Sequence, residues 1–169
     1  GFETLPEVNE ENPSYVEFIT GEGGVIDTWL RRGAAGFRLD VADELPDDFI
    51  EKIRAAVKRV SPEKFLLGEV WEDATTKYGF GQRRTYLLGK GLDSVMNYPF
   101  KNAVLDFVKG KPAEQAAGEI LSICEHYPAP ALNTALNFLS THDTERALTV
   151  IADEPANGRG REWQSGRCV

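Results

Sequence analysis

Short apolar runs alternate with helix-like segments along most of this chain, and this order constrains the fold more than any other feature. Strand-length apolar runs are predicted at residues 35–41, 65–71, 92–96 and 135–140. Apolar residues recur at helical spacing in residues 14–32, 46–60, 103–108 and 112–127. Strands that alternate with helices usually pair in parallel through right-handed crossovers. The sequence therefore predicts an α/β fold.

Two α/β architectures place parallel strands in this way, an open doubly wound sheet and a closed (β/α)8 barrel. An open sheet usually carries a glycine-rich phosphate loop after its first strand, whereas the glycine-rich residues 21–24 follow no predicted strand. The barrel fits better, although a whole barrel needs about 250 residues and eight strands. Because this chain has 169 residues, we predict a partial (β/α)8 TIM barrel that forms one domain over residues 1–169.

Three of the predicted strands end at a carboxylate. Asp40 closes the first run, Glu69 closes the second, and Asp143 follows the fourth. A carboxylate seldom enters an apolar setting without a partner, because removing a charge from water is costly. Parallel strands bring their C-terminal ends to one edge of a sheet. We therefore expect the three carboxylates to converge on one polar site.

Paired carboxylates suit glycoside hydrolysis, in which one carboxylic acid protonates the leaving oxygen and another carboxylate attacks or stabilises the sugar cation. Glu69 precedes Trp71 in an apolar setting, which is expected to raise the pKa of Glu69 and keep it protonated as the acid. Arg38 and Asp40 lie two residues apart and share one strand face, so the guanidinium would keep Asp40 ionised. Val41 is predicted on the opposite, apolar face.

Each candidate also has a purely structural explanation. Arg38 and Asp40 could form an ordinary ion pair at the end of a barrel, and Glu69 could simply turn to solvent. Asp143 could be the N-cap of a helix that follows it. A metal site built from His142 and the three carboxylates is also open, but zinc sites usually draw on two or more His or Cys ligands.

Composition narrows the classes of partner. The formal net charge of −8 argues against a nucleic-acid surface, and the Arg31–Arg32 and Arg83–Arg84 pairs are predicted on solvated faces. No apolar stretch approaches the roughly 20 residues that span a bilayer, so no membrane partner is expected. The two cysteines indicate no disulfide framework. These features favour a cytoplasmic location over secretion.

Three segments, residues 36–42, 68–71 and 141–143, resemble signature segments of the alpha-amylase family of glycoside hydrolases (family 13), in the right order and spacing. Residues 41–44 and 92–100 are most similar to the neopullulanase, cyclomaltodextrinase and maltogenic amylase group, although that group more often has Asn in place of Asp43. The resemblance implies that the chain covers about strands 4 to 7 of the barrel with their helices, without the first strands and the last strand.

The resemblance implies a retaining alpha-glycosidase that acts through a covalent glycosyl-enzyme intermediate. The implied catalytic residues are the nucleophile Asp40, the general acid and base Glu69, and the transition-state stabiliser Asp143. The implied substrate-binding residues are Arg38 and His142 beside the cleaved bond, and Glu44 and Trp71 on the acceptor side. Tyr98 and Asn97 stay open between loop packing and sugar stacking.

The implied substrates are alpha-linked glucans such as maltooligosaccharides, cyclodextrins or pullulan. The chemistry requires no cofactor, and the resemblance is compatible with a structural calcium ion and with oligomers in the full-length protein. Two alternatives remain: another specificity of the same family, an alpha-glucosidase or glucanotransferase, and a catalytically inactive binding or subunit domain. Because half a barrel has unpaired strand edges, we expect the isolated chain to be weakly active or inactive.

Overall fold

The computed structural model describes residues 4, 6, 8–152, 162–163 and 166. Helices α1 (Pro13–Thr20) and α2 (Val25–Arg31) precede the sheet. The single long helix predicted for this region is therefore wrong, because glycines interrupt it. Gly23 has a φ of 74°, and a Cβ atom on Gly24 would lie 2.7 Å from a backbone oxygen of α1. The chain turns sharply there, where only glycine fits.

The sheet is built from three parallel strands, two of which end at a predicted site carboxylate. Its strands are β1 (Gly36–Leu39), β2 (Phe65–Gly68) and β5 (Ser94–Val95), which pair in parallel in the order β1-β2-β5. Leu39 is in register with Gly68, and Gly68 is in register with Val95. The first three strand predictions are thus confirmed with shorter bounds, and β2 is the central strand of the described sheet.

Helices follow the strands as the α/β pattern predicts. They are α3 (Asp47–Val60) between β1 and β2, then α4 (Tyr98–Val108), α5 (Ala113–His126), α6 (Ala129–Asn133) and α7 (Ala147–Ala152) after β5. Helix α4 begins earlier than predicted, because the Asn97 side chain accepts a hydrogen bond from the Phe100 N–H at 3.2 Å and caps it. In the described part of the chain, no helix is long and apolar enough to cross a bilayer.

The hydrophobic core lies between the sheet and helices α2 and α3. Its fully buried side chains include Leu30, Ile50, Val57, Leu66 and Val95. Burying one such side chain contributes about 1.5–3 kcal/mol. The amphipathic pattern of α3 is therefore satisfied by the sheet, and the core supports the strand ends that carry the site.

The fourth predicted strand, residues 135–140, is reduced to a single parallel bridge between Met96 and Leu136. Leu136 alone forms a parallel bridge, through its N–H to the Val95 carbonyl at 3.2 Å and its carbonyl to the Asn97 N–H at 2.9 Å. Among the described residues this segment pairs on one side only, and Leu136 and Leu139 are exposed. Without a second row of hydrogen bonds, the apolar run forms a single bridge and no longer strand.

An antiparallel hairpin of β3 (Tyr78–Gly79) and β4 (Gln82–Arg83), which the sequence did not predict, lies between β2 and β5. The solvated face predicted for Arg83–Arg84 is wrong for Arg84, which is only 2% exposed. Its guanidinium donates to the Asp43 carbonyl and to Asp47 Oδ1, both at 2.8 Å. Arg84 therefore ties the connection after β2 to the connection after β1.

Candidate active site

The ends of β1 and β2 place two of the predicted catalytic carboxylates side by side. Asp40 directly follows β1, and Glu69 directly follows β2. Backbone pairing continues past both ends: the Glu69 N–H donates to the Leu39 carbonyl and the Ala42 N–H donates to the Glu69 carbonyl, each at 3.0 Å. These bonds set the relative height of the two carboxylates at one edge of the sheet.

Arg38 joins the two carboxylates. Its Nη1 donates to Asp40 Oδ1, and its Nη2 lies 2.8 Å from Glu69 Oε1. This second contact is an ion pair without a hydrogen bond. The ordinary ion-pair explanation for Arg38 and Asp40 is therefore incomplete, because the same guanidinium also serves Glu69.

Glu69 is buried, at 3% exposure, so the alternative in which it turns to solvent is wrong. The Tyr98 hydroxyl donates to Oε1 at 3.0 Å and the Val41 N–H donates to Oε2 at 3.1 Å. Burial raises the pKa of Glu69, but hydrogen bonds from Val41, Tyr98 and Trp71, with the charge of Arg38, outweigh burial and lower the pKa. The raised pKa predicted from the apolar setting is thus wrong.

Val41 adopts an unusual backbone conformation between Asp40 and the short 3-10 helix Ala42–Glu44. Its φ of 44° and ψ of 47° lie in the left-handed region, which is costly for a β-branched residue. The strand alternation ends there, and the Val41 side chain is exposed, not on the apolar face as predicted. The same turn directs the Val41 N–H toward Glu69. The strained backbone conformation therefore provides a hydrogen bond inside the site.

Aromatic side chains form one wall beside Glu69. The Trp71 and Tyr98 rings stack with centroids 4.9 Å apart, and Phe138 meets Tyr98 edge-on at 4.8 Å. Tyr98 is 2% exposed, whereas Trp71 is 47% exposed. Of the two explanations left open for Tyr98 and Asn97, loop packing is the one the structure supports for both, and Trp71 keeps a surface open to solvent.

Asp143 and His142 lie on an exposed loop. His142 Nε2 is 3.0 Å from Asp143 Oδ2, and both side chains are accessible to solvent. Helix α7 starts at Ala147, so the helix-cap explanation for Asp143 is wrong. Among the described residues, no hydrogen bond or ion pair joins this pair to Asp40 or Glu69.

An electrostatic link nevertheless connects the loop to the site. Burial raises the pKa of Tyr98, and the negative charges of Glu69 and Asp143 act in the same direction, while the Thr141 hydroxyl opposes them. The pKa of Tyr98 therefore responds to the charge of Glu69 and to the charge of Asp143 on the loop.

Glu44 is exposed at the end of the 3-10 helix. Beside it, Asp43 pairs with Lys77 at 3.1 Å, and Lys77 also binds Glu72 at 2.6 Å. The sequence analysis did not predict the ion pairs of Lys77 or the burial of Arg84. The one local feature that marked Arg84 was the pair of adjacent arginines, Arg83 and Arg84, in an otherwise irregular stretch. Together these ion pairs hold the loop that carries Glu44.

The zinc hypothesis gains no geometric support. Within the described ranges, no group of three or more His, Cys, Asp and Glu side chains is arranged to hold a metal ion. His142 meets Asp143, whereas Asp40 and Glu69 meet Arg38. The arrangement instead offers an accessible carboxylate, Asp40, beside a buried and hydrogen-bonded one, Glu69.

Comparison with known proteins agrees with this geometry. An amylopullulanase from Thermoanaerobacter thermohydrosulfuricus is 35% identical over 188 positions, covering 94% of this chain and 12% of that protein. A cyclomaltodextrinase from a Bacillus species is 37% identical, covering 86% of this chain and 24% of that protein. A solved cyclomaltodextrinase structure superimposes with a TM-score of 0.77 at 37% identity, over 88% of this chain and 24% of that one.

The chain therefore spans about an eighth to a quarter of the length of these relatives. Residues 1–163 match the family described as the catalytic domain of alpha amylase. The parallel sheet, with its carboxylates at one edge, agrees with part of the barrel of that domain. This chain belongs to the alpha-amylase family of glycoside hydrolases, and its fold is a partial (β/α)8 barrel.

Proposed function

We propose that this chain supplies the strand-end carboxylates of a retaining alpha-glycosidase that acts on alpha-linked glucans such as maltooligosaccharides, cyclodextrins or pullulan. The observation that carries the proposal is the contact of one guanidinium, that of Arg38, with both Asp40 and Glu69. One guanidinium bridges only carboxylates that are close together. Two adjacent carboxylates are what glycoside hydrolysis requires, and the retaining outcome is inferred from membership of the alpha-amylase family.

The proposed reaction has two steps. Asp40 attacks the anomeric carbon while Glu69 gives its proton to the leaving glycosidic oxygen, so the C–O bond breaks and a glycosyl ester forms on Asp40. Glu69, now a carboxylate, then takes a proton from a water molecule, and the water oxygen displaces Asp40. A sugar hydroxyl in place of water would give transglycosylation. The high exposure of Asp40, 71% of its side chain, leaves it accessible to a sugar.

Glu69 must be protonated for the first step and ionised for the second. The hydrogen bonds that lower its pKa favour the ionised form. A bound sugar excludes water from the site, and this added desolvation raises the pKa of a carboxyl group. We expect substrate binding to favour the acid form of Glu69, while the hydrogen bonds favour the base form after the aglycone leaves.

The other candidate residues surround these two carboxylates. In the proposal, Asp143 stabilises the sugar cation of the transition state. Arg38 and His142 contact the sugar beside the cleaved bond, whereas Glu44 and Trp71 line the acceptor side. The solvent-open part of Trp71 supports its role, because aromatic rings are suited to packing against the apolar faces of sugars.

The test uses the full-length protein with maltotriose, β-cyclodextrin and pullulan. Asp40→Asn is expected to lower kcat by about 10⁴-fold or more, because it removes the nucleophile. Proton NMR of the first product should show the alpha anomer. Asp48→Asn, the same change at an exposed aspartate in the first turn of α3, is the matched control and should leave kcat unchanged.

An unchanged rate for Asp40→Asn would remove Asp40 from the nucleophile role, and a beta-anomeric first product would exclude retention. Binding of β-cyclodextrin by the wild-type protein without turnover of any of the three glucans would instead support a catalytically inactive binding domain. The product pattern on maltotriose separates hydrolysis from glucan transfer.

A further inference from the structure

We propose that Tyr98 is a positioning residue, which holds the carboxyl group of Glu69 in the orientation needed to protonate the leaving oxygen. This inference rests on the proposed function of Glu69 as general acid and base. The observation behind it is the buried hydrogen bond from the Tyr98 hydroxyl to Glu69 Oε1 at 3.0 Å.

Besides Trp71, the contacts of Glu69 come from its two opposite neighbours in the sheet. Val41 and Arg38 both belong to the β1 side, where Val41 binds Oε2 and Arg38 meets Oε1. Tyr98 approaches from the other side, because it starts α4 just after β5. Without the Tyr98 hydroxyl, the described residues of the β5 side would give the carboxyl group no hydrogen bond, and Oε1 would be held less firmly.

The Tyr98 ring is itself held firmly. Trp71 stacks on it with an interplanar angle of 17°, Phe138 packs edge-on, and the Lys101 ammonium lies 5.7 Å from the ring centroid. With 2% exposure, the ring offers no surface to a sugar. Because the ring is packed on both sides, its hydroxyl has a fixed position and can hold the carboxyl group of Glu69 in one orientation.

Tyr98 remains a hydrogen-bond donor under working conditions. Burial raises the pKa of its hydroxyl, and the charges of Glu69 and Asp143 add to that rise. A phenol that stays protonated donates to the ionised carboxylate and stabilises it, so its loss should raise the pKa of Glu69.

The experiment compares full-length wild type with Tyr98→Phe on two substrates, maltotriose and α-maltosyl fluoride. Fluoride leaves with little protonation, so its release depends weakly on a general acid, whereas the sugar leaving group of maltotriose depends on it strongly. Tyr98→Phe should lower kcat/KM on maltotriose by about 10- to 100-fold and on α-maltosyl fluoride by less than about 3-fold. The alkaline limb of kcat/KM on maltotriose should move up by about 1 pH unit.

Tyr127→Phe is the matched control. Tyr127 is also a buried tyrosine with a hydrogen-bonded hydroxyl, but its partner is the Ala74 N–H at 3.2 Å. This variant should leave the ratio of the two kcat/KM values and the alkaline limb unchanged. Retained turnover of the fluoride by Tyr98→Phe shows that the variant is folded.

Equal losses on both substrates, or no loss on either, would overturn the positioning role of Tyr98 while leaving the proposed function intact. Glu69→Gln separates the two ideas. If the wild type hydrolyses maltotriose and Glu69→Gln leaves that rate unchanged, the proposed function is overturned, and the role of Tyr98 with it.

Discussion

Glu69 and Asp143 are both strand-end carboxylates in the sequence, yet the structure gives them opposite surroundings. Glu69 is 3% exposed and receives hydrogen bonds from Tyr98 and Val41. The Asp143 side chain is 42% exposed, and among the described residues its ion pair is with the neighbouring His142. The same type of residue at the same type of position is thus buried and bonded in one case and open in the other.

Position in the sheet explains the difference. Glu69 follows β2, which has a strand on each side and therefore a donor on each side. Asp143 follows a segment that, within the described ranges, pairs only with β5 through Leu136. Burial and hydrogen bonding at a strand end depend on both neighbours, and among the described residues β2 is the strand that has both.

The largest expected effect tests whether the exposed Asp143 is nevertheless needed for catalysis. Asp143→Asn in the full-length protein should lower kcat by about 10³-fold, because it removes a charge that stabilises the transition state. In the 169-residue chain the same variant should change the free energy of unfolding by less than about 0.5 kcal/mol, because the side chain is exposed there. Steady-state kinetics and urea denaturation measure the two quantities. A normal kcat would mean that Asp143 is only a loop residue.

The next largest expected effect is the loss of stability when the buried carboxylate, Glu69, loses its cationic partner. Arg38→Met should lower the free energy of unfolding by about 3 kcal/mol, because Glu69 would keep a buried negative charge without its cationic partner. Urea denaturation of the full-length protein measures this loss. Arg83→Met, at an exposed arginine in β4, is the matched control and should cost under about 1 kcal/mol. An equal loss of unfolding free energy in both variants would mean that the contact between Arg38 and the buried Glu69 adds no stability beyond that of an exposed arginine.

The buried carboxylate, Glu69, should also make the stability of the protein depend on pH. The pKa of Glu69 is lowered in the folded state, so its contribution to stability is fully present above its unfolded pKa, about 4.3, and is lost as the pH falls through the folded value. Glu69→Gln should flatten the fall in unfolding free energy below about pH 4.5. A slope that Glu69→Gln does not alter would contradict the lowered pKa.

The smallest effect concerns the strained turn beside Glu69. Val41→Asn should stabilise the protein by about 0.5–1 kcal/mol, because Asn tolerates the left-handed conformation better than a β-branched residue. The change keeps the N–H that binds Glu69. Val16→Asn, at a residue packed against the core with ordinary helical geometry, should instead destabilise, as thermal unfolding of both variants would show. A loss of stability in Val41→Asn would mean that the turn carries no strain.

Local patterns of apolar residues in the sequence were sufficient to predict much of the fold. The amphipathic stripe of α3 and the apolar runs of β1 and β2 predicted those elements, and the parallel order of the strands predicted that Asp40 and Glu69 lie close together. Pattern failed where distant residues decide the outcome. Arg84 is buried because the Asp43 carbonyl, 41 residues earlier in the chain, accepts its hydrogen bond, and no local signal reports such a partner.

In the predicted site, too, some features follow from the local sequence and others depend on distant residues. Residue types and parallel topology were enough to bring Asp40 and Glu69 to one sheet edge, since strands of one direction end on one side. The burial and lowered pKa of Glu69 came only from the tertiary structure, because its donors Val41 and Tyr98 lie 28 and 29 residues away in the chain. An apolar stretch of sequence indicates desolvation, whereas the hydrogen bonds that outweigh it exist only once the neighbouring strands have paired.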